Sequence, residues 1–242
     1  MKTTVYSDTL IQLMRLPRLF PVNCYLVRES DGFTLIDTAL GGSTKAIIAA
    51  ATALGAPIVR IALTHAHGDH VGSLDALHAA LPDAEILVPI REARFLAGDR
   101  SLDADETQGR LRGSWQTCKT RPTRLLRPGD RVGSLEVLAA PGHTPGHVAF
   151  FNTRDRSLIT GDAFQTRGGI AVSGVVRPLF PFPAMATWHK PTALVSAKAL
   201  RALEPRLLTV GHGRMMPNPL AAMDGAIATA ARQVHEVAPH GA

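Results

Sequence analysis

A chain of 242 residues can bury one large core or two small ones, and a single domain over 1–242 is expected. Its 45% hydrophobic and 19% charged residues exclude a disordered or fibrous protein, and no apolar run approaches the ~20 residues that span a bilayer. The net charge of +6 would suit nucleic acid. However, the arginines are scattered and thicken only between Arg110 and Arg131, with no interleaved aromatic beyond Trp115, so a solvated face is expected whose charge can still attract an anionic substrate.

Taken in chain order, Val5, Leu10–Leu13, Asn23–Val27 and Phe33–Asp37 read as strands, the last two joined by a hairpin at Ser30-Asp31-Gly32. Gly41-Gly42-Ser43 opens an alanine-rich helix over Thr44–Leu54, with Ser43 as its N-cap. The apolar run Ile58–Leu63 reads as a buried strand. It delivers Thr64-His65-Ala66-His67-Gly68-Asp69-His70, in which His65 and His67 project to one side of an extended backbone and can grip one ion. Asp69 and His70, at the turn into a helix over Val71–Leu81, can face a second. A strand at Glu85–Val88 and a helix at Pro89–Ala97 follow, then a polar loop, Gly98–Thr123. The second half adds strands at Thr123–Leu126, Leu135–Ala140, Val148–Asn152 and Ser157–Thr160, a helix at Thr192–Leu203, a strand at Leu207–Val210 and a terminal helix from Leu220 to about Val237.

Three further strand ends carry metal-ligand chemistry. Pro141-Gly142-His143 follows Leu135–Ala140, Gly161-Asp162 follows Ser157–Thr160, and Gly211-His212-Gly213 follows Leu207–Val210. Glycine beside each permits close backbone approach. Imidazole and carboxylate in such density suit a borderline cation, zinc first, with manganese or iron also compatible. His147 competes with His143; His143 is preferred because it directly follows Pro-Gly, with His147 as a hydrogen-bonding neighbour. His78, His235 and His240 read as surface or packing residues, and His189 either lines a pocket or starts a helix.

The order His-x-His-x-Asp-His, then His, Asp and His, resembles the metallo-β-lactamase-fold superfamily of dinuclear metallohydrolases, over about Asn23 to Gly213. The resemblance implies an α/β fold, a four-layer αβ/βα sandwich. It also implies two divalent ions: one held by His65, His67 and His143, the other by Asp69, His70 and His212, with Asp162 bridging. A hydroxide between the ions would be the nucleophile, with Asp69 or Asp162 shuttling the proton. Asp37 resembles the family's acidic residue that orients the metal-binding loops.

Within that superfamily the expected substrate is a lactone or carboxylic ester, similar to the acyl-homoserine lactonases. Those enzymes often carry a tyrosine where this chain has Gln165, whose amide can donate a hydrogen bond instead. The Phe- and Pro-rich segment Ala163–Lys190, with Phe164, Gln165, Phe180, Phe182 and Trp188, is expected to line the pocket, a homodimer contact being an equal alternative; Leu16–Val22 is a candidate for the opposite wall. A glyoxalase II-like thioesterase is second. A mononuclear iron sulfur dioxygenase, a β-lactamase and a non-catalytic metal-binding module rank lower. The partner is a small molecule, not nucleic acid or membrane. Met1–Met14 lacks the apolar core of a secretory signal. Cys24 and Cys118 make no disulfide framework and stand apart from the His/Asp motifs, so a cytoplasmic enzyme without a cysteine zinc ligand is expected.

Overall fold

Alternation along the strands assigns successive side chains to opposite faces of a sheet, and here both faces of both sheets are apolar. In the computed structural model, which describes residues 1–237, the first half of the chain forms a seven-stranded sheet in chain order. Its strands are β1 (Lys2–Val5), β2 (Leu10–Arg15), β3 (Val22–Glu29), β4 (Gly32–Ile36), β5 (Ile58–Ala62), β6 (Glu85–Pro89) and β7 (Arg124–Leu126). Strands β1 to β4 are antiparallel and β4 to β7 parallel. Between them run the helices α1 (Thr44–Ala53), α2 (Gly68–Val71), α3 (Leu74–Ala80) and α4 (Ile90–Leu96).

The second sheet uses β8 (Arg131–Val132), β9 (Leu135–Ala139), β10 (Val148–Asn152) and β11 (Ser157–Ile159). After a small separate pair, β12 (Phe164–Gln165) and β13 (Ala171–Val172), it is completed by β14 (Leu207–Thr209) and β15 (Met216–Pro217). Helices α5 (Phe182–Met185), α6 (Lys190–Ala202) and α7 (Leu220–Val237) complete this half. No helix among the described residues is long and apolar enough to cross a membrane.

The alternation produces three packed layers of core. In β3, Val22, Cys24 and Leu26 face α1, α3 and α4, while Tyr25 and Val27 face the other sheet. In β10, Val148 and Phe150 meet the first sheet, while Ala149 and Phe151 turn toward α6 and α7. Helices therefore cover the outer face of each sheet and the sheets bury their inner faces on each other, which is the expected αβ/βα sandwich.

Strand direction decides where the ligand candidates go. Strands β4 and β5 are parallel; β9 and β11 share one direction because each pairs antiparallel with β10, and β14 runs parallel to β11. The C-terminal ends of β9, β11 and β14 therefore open at one edge, against the ends of β4 and β5. The two halves are joined there by Val148 N–H donating to the Thr64 carbonyl at 3.0 Å, by Asn23 Nδ2 donating to the Val210 and Gly213 carbonyls and by Tyr25 Oη donating to Val210.

Several local expectations need correction. The helix expected over Val71–Leu81 is two, α2 and α3. Gly72 lies so close to the Leu40–Gly41 backbone that a Cβ would stand 2.5 Å from Gly41 N, and Ser73 Oγ donates to the Leu40 carbonyl at 2.7 Å. Tertiary contact thus breaks the helical run. Ser43 precedes α1 but makes no side-chain cap; its backbone N–H donates to Ser73 Oγ instead. The Phe- and Pro-rich segment Ala163–Lys190, expected to line the pocket, contains β12, β13 and α5, all too short to leave a periodicity in sequence. His240 and the side chain of His235 lie outside the described residues, and His78 is half-buried on α3.

Candidate functional site

Five imidazoles and two carboxylates meet where the strand ends open. His65, His67, Asp69 and His70 come from the turn after β5, His143 follows β9, Asp162 sits on the 3₁₀ turn Gly161–Ala163 after β11, and His212 follows β14. Asp162 is central: its Oδ1 lies 3.3 Å from His70 Nε2, and its Oδ2 lies 3.4 Å from His143 Nε2 and 3.2 Å from His212 Nε2. Asp69 Oδ2 is 3.3 Å from His212 Nε2. Glycine is required at Gly211, where a Cβ would fall 2.0 Å from Asp162 Oδ1, and at Gly161, whose φ is +48° and whose Cβ would fall 2.7 Å from Thr64 Oγ1.

The outward ring nitrogens fix the tautomers through the network they join. Asp37 Oδ2 accepts from Thr64 Oγ1 and from His70 Nδ1, each at 2.8 Å. The Thr64 hydroxyl proton is thereby committed, so His65 Nδ1 must donate to Thr64 Oγ1, 3.0 Å away. Thr187 Oγ1 donates to the Pro183 carbonyl and accepts from Ser173 Oγ, so His143 Nδ1 donates to Ser173 at 2.9 Å. His67 Nε2 donates to the Arg112 carbonyl at 2.9 Å, and His212 Nδ1 to the Pro21 carbonyl at 2.7 Å. With its outward nitrogen carrying the proton, every neutral ring turns a lone pair inward.

This leaves His67 Nδ1 and His143 Nε2 facing each other at 3.0 Å with no proton between them, an arrangement that repels unless a cation lies close by. His65 Nε2 is buried without a partner, and Asp162 Oδ1 and His70 Nε2 stand near each other without forming a hydrogen bond. The donor atoms of His65, His67 and His143 lie within 4.8 Å of one another, as do those of Asp69, His70 and His212 and those of His65, His70 and Asp162. The set fits divalent metal binding, with each imidazole oriented by a second hydrogen bond.

Electrostatics agree. Burial first, then neighbouring rings, hold His65 well below its ordinary range, and burial takes His67 down to about 4, so both rings are neutral at pH 7. Burial also opposes charge on His70 and His212, but Asp162 overrides it at both, with Asp37 adding at His70 and Asp69 at His212; His212 is lifted to about 10. Asp162 and Asp69 are held well below the carboxylate range despite burial, by His212 and His70. The carboxylates demand positive charge at the centre, which protons on His70 and His212 or a metal cation in their place can supply.

His147, the competitor of His143, accepts the Asp162 backbone N–H on Nε2 at 3.1 Å and stacks on His65, so it positions rather than converges. Asp37 ties the turn after β5 in place, accepting from Thr64 N as well; its φ of 60° is strained for a non-glycine residue. Sequence reasoning missed Glu92. It is fully buried on α4 and accepts from Ala66 N at 2.8 Å, Thr144 Oγ1 at 2.7 Å and Gly146 N at 2.9 Å. It thus binds the His65–His67 segment to the His143 loop. Burial pushes its carboxyl up to about 7 even against those three donors. The available signal was an acid on the apolar face of a helix, in the i, i+3, i+4 pattern Glu92, Phe95, Leu96.

A cavity of about 600 Å³ opens over this cluster, with His67, Asp69, His143, Asp162 and His212 on its floor. Phe20 and Phe182 form one wall, and Gly113, Ser114 and Gln116 of the long polar loop form the other. Phe20 packs on Phe180, Phe182 and His212 with ring centroids 5.1–5.3 Å apart, so Leu16–Val22 supplies an apolar wall. Of the expected pocket residues, Phe182 lines this cavity and Phe180 backs it. Phe164 is buried in the core against α6 and α7. Gln165 donates its amide to the Arg167 and Phe180 carbonyls, which spends the hydrogen bond expected for a substrate. Trp188 lines an adjoining cavity of about 620 Å³ with His189. Trp115 meets His67 edge to face, ring centroids 4.6 Å apart, reinforcing the wall from behind.

Residues 17–212 match the model of the metallo-beta-lactamase superfamily. The chain is 50% identical over 228 residues to YobT of Bacillus subtilis (strain 168), an uncharacterized protein, covering 94% of this chain and 97% of YobT. It is 30% identical over 219 residues to the hydroxyacylglutathione hydrolase of Rhodospirillum rubrum, covering 88% of this chain and 66% of that protein. The solved structure of TTHA1623 in a di-iron-bound form is 29% identical with a TM-score of 0.63, covering 87% of this chain and 96% of that one.

Proposed function

The chain belongs to the metallo-β-lactamase superfamily, and from that premise we propose that it is a dinuclear metal-dependent hydrolase of lactones or carboxylic esters. The observation that carries the reading is the inward convergence of His65, His70, His143 and His212 on Asp162, with His67 facing His143. In this reading His65, His67 and His143 would hold one ion and Asp69, His70 and His212 the other, with Asp162 within reach of both groups. Zinc suits the donor set best, manganese or iron being compatible. Bound there, divalent ions supply Lewis acidity toward a carbonyl oxygen and lower the pKa of a water toward neutrality.

The chain's own groups do the rest. Asp69 lines the cavity and is ionised, so it can take a proton from water and pass it to the leaving oxygen. The water oxygen bonds to the acyl carbon as the acyl carbon–oxygen bond breaks. Phe20, Phe180 and Phe182 keep bulk water from one side and suit an apolar chain. With Gln165 committed to backbone carbonyls, stabilisation of the developing oxyanion falls to the charged centre rather than to a side-chain amide.

Similarity to a hydroxyacylglutathione hydrolase favours a second reading, thioester hydrolysis by the same groups. A panel of acyl-homoserine lactones, simple lactones, aryl esters, a glutathione thioester and a β-lactam, run on protein of measured metal content, separates them. Two metals per chain with lactone or ester turnover lost on chelation is the expected result. Thioester turnover alone selects the second reading; one iron per chain without hydrolysis refutes both.

A further inference from the structure

The metal-site cavity does not end at its apolar wall. Met185 lines it, lines the cavity of about 620 Å³ beside Trp188, and lines a smaller one of about 280 Å³ formed by Arg110–Gly113. Gly113 is shared between the first and the smallest, and Arg112 between the smallest and the second. One groove therefore runs from the cluster, over the exposed side chain of Met185, to Trp188.

Charge changes along this groove. At the cluster end the lining includes Asp69 and Asp162. Beyond Met185 the described lining contains no acid, while Arg110, Arg112 and Lys190 all contribute. His189, also there, is held below its ordinary range by burial and adds no charge at pH 7. On the neighbouring helix α4 the cations are neutralised by acids of the polar loop: Arg91 pairs with Glu106, and Arg94 with Asp99 and Asp103. Arg112 is also anchored close to the chemistry, because its carbonyl holds His67 Nε2.

We infer that this basic end of the groove is an anion-binding subsite, and that the substrate is an acyl compound whose apolar chain crosses Met185 and ends in a carboxylate or similar anion held by Arg110 and Arg112. The inference deepens the hydrolase reading and rests on it. Guanidinium groups suit the role because they stay charged and bind oxyanions in a fork, and apolar lining between the two charged ends favours an alkyl or aryl spacer.

The test compares aryl esters of an ω-carboxyalkanoic acid and of the matching ω-carboxamide on the metal-loaded protein. Wild type is expected to prefer the carboxylate by about tenfold or more in kcat/KM, expressed in KM. The preference should shrink at high salt and fall to near one in the Arg110→Ala/Arg112→Ala double variant. A ratio near one in wild type, or one that survives the double substitution, overturns the subsite. Octanesulfonate, an anion with an apolar chain and little affinity for metal, gives a readout independent of turnover. Its binding, followed by tryptophan fluorescence, should weaken about tenfold in the double variant, whose fold is checked by circular dichroism. Equal binding to both proteins overturns the subsite even if esters are hydrolysed, whereas charge-dependent binding without any hydrolysis sustains it and refutes the hydrolase reading.

Discussion

The two halves of the candidate centre are built in opposite ways. The first half, His65, His67, Asp69 and His70, lies within one turn after β5 and is held from outside by Asp37. The second half, His143, Asp162 and His212, comes from three strand ends separated by long stretches of chain and meets only because β9, β11 and β14 run in one direction. A local cluster needs a clamp on its turn; a dispersed one needs sheet topology, and Glu92 is the strut that ties one to the other.

Substitutions can break that comparison at graded points. Asp162→Ala, at the contact between halves, and His67→Ala, within the local half, should each reduce turnover by roughly 10³-fold or more while circular dichroism shows the fold retained. Full activity in either variant sinks the dimetal reading. Glu92→Ala leaves the Ala66 and Gly146 amides and the Thr144 hydroxyl buried without their acceptor, a loss of about 2–4 kcal/mol of stability. It should also weaken metal binding by about 10–100-fold, measured by competition with a chelator; an unchanged metal affinity would show that the two halves hold their spacing without the strut.

Asp37→Asn keeps the size and the tolerance for left-handed φ but removes the charge facing His70. Its effect, again about 10–100-fold on metal affinity, should fall on His70 directly and on His65 through Thr64, whereas Glu92→Ala acts through the His65–His67 segment and the His143 loop. Metal-edge spectroscopy on cobalt-loaded protein would tell the two apart, and identical spectra would mean that the halves are not separately supported.

The smallest effect is in acid. Burial holds folded His67 near about 4 and His147 near about 3, against an ordinary imidazole value of 6.5. Burial shifts His65 and His143 the same way, while His70 and His212, raised by their carboxylates, oppose the trend as the smaller group. Below 6.5 the unfolded chain binds protons that the four depressed rings of the folded chain refuse. The stability from these rings is therefore complete above pH 6.5 and is lost as pH falls toward 4. Denaturant midpoints of chelator-treated protein at pH 7 and pH 5 should differ in that direction; a midpoint that rises in acid contradicts the neutral-ring assignment.

Much of this protein was legible in its sequence. Apolar runs bounded by turn residues located the longer strands, because burial on both faces leaves a continuous apolar signature. The ligand candidates stood out because imidazole, carboxylate and glycine recur at strand ends. Strands of two residues, such as β8, β12, β13 and β15, were not legible, since two residues carry no period. The break between α2 and α3 was not legible either, because the contact of Gly72 with Gly41 is set by folding rather than by local preference.

The sequence by itself determined the fold class and which side chains could act, since periodicity and residue chemistry are local properties. Tertiary structure alone decided three things: that Phe164 and Gln165 turn away from the cavity, that the Arg112 carbonyl meets His67, and that Glu92 spans the two halves. Each depends on distances between segments remote in the chain, which packing sets and no local pattern encodes.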